Sequence, residues 1–221
     1  MSRLKQIGSF LKSHNLMDIL DLLKQQMTPD VINGLTQKIG AQDPKQTETA
    51  VDTALATLVG AMKQTTADPE KGASFLNALD RDHDGSVLDD ITGFIGGNFG
   101  GNQKATNGMG ILNHLMGQKQ NGAFDMLSQI SGLSSGQSGN LMATLAPLVM
   151  GMLGKQRRQA SNGFGVSDIF NLLNGSMNNN RQRVQHQSIV EKFLDADGDG
   201  NIMDDIAGKV GKGLLNKLFG K

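Results

Sequence analysis

The chain has 221 residues, with 21 basic against 21 acidic side chains and 38% hydrophobic residues. That size admits one large or two small domains with a sizeable core, and 29 glycines without a collagen period make it loop-rich. The absence of cysteine excludes disulfides, thiolate nucleophiles and zinc or iron–sulfur sites built on sulfur; without Trp or Tyr, the aromatic groups most interfaces use are missing too.

Met1 to Ile7 holds no apolar run of signal-peptide length, so these residues are expected in the mature fold and the protein in the cytoplasm, with non-standard export as the alternative. Leu4, Ile7 and Leu11, then Met17, Leu20, Leu23 and Met27, recur at three- and four-residue steps, and no stretch alternates with period two for long. That spacing predicts helices and no strands. Thr28-Pro29, Asp43-Pro44 and Asp68-Pro69 each pair a capping side chain with a proline at a first helical position. The helix from Pro44 to about Gln64 gathers Val51, Leu55, Leu58, Val59 and Met62 on one face, which predicts a core helix. Leu141 to Gly154 is apolar but contains Pro147 and falls short of the roughly 20 residues a bilayer requires, so it too reads as a buried helix. Near the carboxyl end, Ile206, Val210, Leu214 and Leu218 form a stripe with Lys209, Lys212, Lys217 and Lys221 mainly off it. A core-facing helix with a wet lysine side is the first reading, and peripheral contact of residues 206–221 with an anionic membrane the second.

The second half reuses the first. Leu55-Ala-Thr-Leu-Val59 returns 90 residues later as Leu145-Ala-Pro-Leu-Val149, and an Asp-rich loop follows each. The fold expected is all-α, a small multi-helix bundle of two degenerate helical repeats, each with one acidic loop. Residues 1–100 form the first subdomain with its loop at 80–91, 101–156 the helical part of the second, and 188–221 the second loop and a final helix. Between them, 157–187 is rich in Asn, Gly and Arg and reads as a flexible linker or insertion. Its bases have only Phe164 and Phe170 among them, too few stacking groups to predict a nucleic-acid partner.

Only three acids are Glu, although helices favour Glu over Asp, so something other than helix formation selects Asp. Ten Asp fall in two short stretches that agree position by position. Asp80, Asp82 and Asp84 in one, and Asp195, Asp197 and Asp199 in the other, occupy loop positions one, three and five. Gly85 and Gly200 follow at six, where the chain bends, and Ser86 and Asn201 at seven, where a carbonyl is offered. Val87 and Ile202 at eight are expected to point inward. Alternating carboxylates that wrap a cation supply hard oxygen ligands, which suits Ca²⁺ better than Mg²⁺ or zinc. Up to two Ca²⁺ ions are therefore predicted, structural in role. Asp90 and Asp205 are the expected closing ligands, with Asp89 and Asp204 as alternates or helix caps. The competing reading makes both loops polar turns that cap the following helices.

The Asp-X-Asp-X-Asp-Gly run resembles the calcium loops of EF-hands and dockerins. Those close with an acid at position twelve; here Ile91 and Ile206 stand there and the acids come at ten and eleven. A short Asp in that role implies affinity on the order of 10⁻⁵ to 10⁻³ M. From about Leu35 onward the chain also resembles the bacterial group catalogued as domain of unknown function 937, the YidB-like proteins. The segments Gly108 to Leu112, Phe124 to Leu133, Leu145 to Val149 and Val87 to Gly93 carry that likeness. It implies a small all-helical bacterial protein and supplies no activity.

His14, His83, His114 and His186 are scattered, and no nucleophilic triad has a local signature. Twelve Met at helical spacings read as core filler. The function expected is a calcium-binding helical module without enzymatic activity, with a protein partner or a second copy of the chain as its contact. A metal-independent helical scaffold is the alternative. An acid hydrolase using Asp89 and Asp90 is a distant third, because adjacent residues at a helix start point in different directions.

Overall fold

The structure, a computed structural model, describes residues 18–160, 164–180 and 189–190. The second acidic loop at 195–205, the stripe at 206–221 and the apolar positions up to and including Met17 lie outside the described residues.

The three predicted cap–proline pairs each open a helix. Asp18 caps α1 (Ile19–Gln26), Thr28 caps α2 (Pro29–Ile39), Asp43 caps α3 (Pro44–Ala67) and Asp68 caps α4 (Pro69–Asp82). In α4 one Asp68 oxygen accepts from the N–H groups of both Glu70 and Lys71, at 3.0 and 3.1 Å, which satisfies donors a helix start leaves open. Then come α5 (Ile91–Gly96), α6 (Gly108–Met116), α7 (Gln120–Ser131), α8 (Ser135–Gln159) and α9 (Val166–Asn180). Short 3₁₀ turns at Ser86–Leu88 and Gly117–Lys119 join some of these, and no strand occurs among the described residues.

The two long helices α3 and α8 pack against each other at the centre, and the shorter helices lie around them. Both are buried nearly all round over their middle turns, as central helices must be. In α3 that burial includes threonines. Thr53, Thr57, Thr65 and Thr66 each donate their hydroxyl to the carbonyl four residues back, so no water is needed to satisfy them. Leu55, Leu58 and Val59 of α3 and Leu145, Leu148 and Val149 of α8, the residues of the repeated pentapeptide, are all fully buried. Leu141 to Gly154 forms the interior of α8, which a Ser134–Gln137 capping box starts. Pro147 has no N–H to offer the Ala143 carbonyl one turn back. The backbone of α6 comes against that same carbonyl at Gly108, where a Cβ would overlap it.

The segment read from composition as a linker departs from that expectation. Helix α8 runs on to Gln159, and Val166–Asn180 folds as α9 against α3. Ile169, Leu173 and Met177 repeat every four residues and are buried in the same core, a period hidden among Asn and Ser. Ser176 of α9 accepts the N–H of Ile19 at 3.0 Å, which docks α1 beside it. No helix among the described residues is long and apolar enough to cross a membrane.

Candidate functional site

The first acidic loop joins α4 to α5 and lies along the C-terminal half of α8. Close approach is what α8 permits there. Val87 is buried against Gly151, and a Cβ at Gly154 would overlap the carbonyl oxygen of His83. Gly85 bends the loop with φ of 88°, the left-handed conformation expected at the sixth position.

This seating brings the loop's carboxylates to a basic helix end. Asp80 forms a two-pronged pair with Arg157, at 2.6 Å to Nε and 2.9 Å to a terminal nitrogen. Arg157 also donates to the Phe164 carbonyl, and so ties the α8–α9 connection to the end of α4. Asp84 accepts the Ser86 N–H at 2.9 Å and has Arg158 at 3.9 Å, while Lys155 stands 3.8 Å from Asp89. Asp82 is 3.7 Å from its neighbour Arg81. Asp90 caps α5 by accepting the Gly93 N–H at 2.8 Å. The Ser86 carbonyl accepts the N–H of Asp89.

A calcium ion held at positions one, three and five needs those oxygens to converge, and in this conformation they do not. Helix α4 continues through Asp82, and at 100° per residue Asp80 and Asp82 project on widely separated sides of it. Both Asp80 oxygens are engaged by Arg157. Among the described residues no three His, Asp or Glu side chains form a group able to hold a metal. The corresponding residues Asp195, Asp197, Asp199, Asn201, Asp204 and Asp205 lie outside the described residues. Sequence reasoning missed Lys155, Arg157 and Arg158 as partners of the loop. For Arg157 and Arg158 the one local signal is position, since cations in the last turn of a helix are favoured by its dipole.

Charge and burial set the protonation of the loop. The Arg157 hydrogen bond holds the Asp80 carboxyl below its ordinary 3.8 and raises the guanidinium in return; hydrogen bonding from Ser86, helped by Arg158, lowers Asp84. Burial pushes the His83 imidazole below 6.5, against the pull of Asp82 and Asp84. The unfolded chain therefore takes up the His83 proton first. Its contribution to stability is full above pH 6.5 and is lost as the pH falls from there toward the folded value. Asp80 and Asp84 act in a lower window, with stability present above 3.8 and lost as the pH falls through their depressed values. His83→Leu is expected to remove the loss of stability that starts near pH 6.5 and to keep the one below 4. Urea midpoints measured from pH 8 to pH 3 check this; an unchanged profile in the variant would refute it.

The family described as bacterial protein of unknown function (DUF937) matches residues 21–156 of the chain, more than half of it. The match takes in the first acidic loop and stops short of the second. No curated protein and no solved structure matches.

Proposed function

Since the chain belongs to the DUF937 family of bacterial proteins of unknown function, we propose that it is a helical structural or interaction module whose first acidic loop works as an electrostatic clasp without a metal. The observation that carries this reading is the two-pronged Asp80–Arg157 pair, flanked by Lys155 and Arg158. The clasp fastens the α4–α5 connection to the end of α8, and through the Phe164 carbonyl it also fixes the approach to α9. Asp80 is half exposed, so solvent screens the pair and its worth is about 0.5–1 kcal/mol, the upper part of the range for surface pairs. Arg157→Gln is expected to lower the melting temperature by about 1–4 °C.

A second reading keeps Ca²⁺ as an occupant of the acidic loops. It is supported by the donor pattern, written twice in the sequence, and by the left-handed Gly85 at the bend. On this reading the last turn of α4 unwinds and Asp80 leaves Arg157, so the ion and the clasp exclude one another. Calorimetric Ca²⁺ titration of chelator-stripped protein separates the two. Absence of both heat and a melting shift up to several millimolar supports the clasp alone. Saturable binding of up to two ions supports the calcium reading, with Asp82→Ala and Asp197→Ala each removing one ion. Arg157→Gln then strengthens binding at the first loop several-fold, because a competing cation has been removed. Retention of two ions by both Asp variants would overturn the ligand assignment.

A further inference from the structure

Neither reading uses His83, and its surroundings suit a different kind of ligand. The side chain is 5% exposed and its Nδ1 has no hydrogen-bond partner among the described residues, which is rare for a buried polar atom. It lines a cleft of about 280 Å³ between α4, α6 and α8 whose apolar lining includes Phe75, Ile111 and Met150. Its polar lining carries one lysine and no acid. Lys104, Asn107 and His114 belong to it together with His83. The Lys104 ammonium makes no ion pair with a described residue. Asn107 caps α6 through its carbonyl oxygen, which accepts the Gly110 N–H at 3.0 Å, and so leaves its amide nitrogen as a donor at the positive end of that helix.

We propose that this cleft binds a small free organic acid, its carboxylate held by Lys104 and the Asn107 amide and its apolar body laid on Phe75, Ile111 and Met150. The volume sits just under the ~300–1,000 Å³ usual for ligand pockets, which limits the body to one short aliphatic chain. His83 lines the same cleft, and because its Nδ1 is shut in without a partner, Nε2 is the ring nitrogen open to the ligand.

The test is titration of the full chain with octanoate, followed by backbone amide shifts. Saturable shifts at Gly110 and Ile111 with millimolar affinity are expected, at least five-fold weaker in Lys104→Gln. That residue is on the surface, so the variant folds whatever the outcome. His83→Phe, which keeps an aromatic ring in place and removes its nitrogens, is expected to weaken binding about three-fold. No saturable shift at 20 mM octanoate would overturn the proposal, as would unchanged affinity in Lys104→Gln. Equal binding of octyl glucoside would show an apolar crevice indifferent to charge, and equal binding of inorganic phosphate a bare anion site; either result rejects an organic acid as the occupant.

Discussion

Gly154→Ala is expected to destabilise the protein by about 2–3 kcal/mol, although in an open helix the same change stabilises by up to about 1 kcal/mol. The sign turns on what stands opposite. Gly154 is buried in the last third of α8, and the atom its Cβ would strike is the backbone carbonyl oxygen of His83. A flexible side chain can turn aside, but a carbonyl moves only if the whole α4–α5 connection moves. That displacement lifts Val87 out of its place against Gly151 and pulls Asp80 from Arg157, so packing and clasp are lost together. Gly136→Ala is the control: it sits in the same helix with nothing within 4 Å of a new Cβ, and is expected to be neutral or slightly stabilising. Thermal melts are expected to put the Gly154 variant about 4–12 °C below the wild type. A Gly154 variant as stable as the Gly136 variant would mean that the loop does not rest on α8.

Local chemistry explains which parts of this arrangement could be read in advance. The cap–proline pairs and the apolar steps of α3 and α8 act over four residues or fewer, and each gave the expected helix. The composition of α9 masks its period, because three apolar residues among Asn, Ser and Gly are enough to bury it. The acidic positions of the loop were legible one by one; what they face was not. A carboxylate in the last turn of a helix is disfavoured by the dipole, and Asp80 lies in the last turn of α4. Arg157, 77 positions away in sequence, offsets that charge. No local pattern encodes a partner at that distance.

Truncation of either repeated leucine, Leu55→Ala or Leu145→Ala, is expected to cost about 2–5 kcal/mol, a large share of a typical folding free energy of about 5–15 kcal/mol. Both side chains are fully buried, so each loses the transfer energy of its methyl groups and leaves a cavity that its surroundings fill only in part. The larger consequence concerns how the molecule divides. Sequence repetition suggests two subdomains, in which each truncation would weaken its own half. The core, however, joins α3 and α8 in one continuous apolar cluster that also takes in α1, α7 and α9. A cluster shared in this way transmits the loss, so both variants should shift a single unfolding transition by similar amounts. Residue-resolved hydrogen exchange is the direct measurement, since the chain has no Trp to report locally. In Leu145→Ala the slowest amides of α3 should speed up as much as those of α8. If α3 kept its wild-type protection while α8 lost its own, the two long helices would belong to separately folding units, and the repeat boundary would be a physical one.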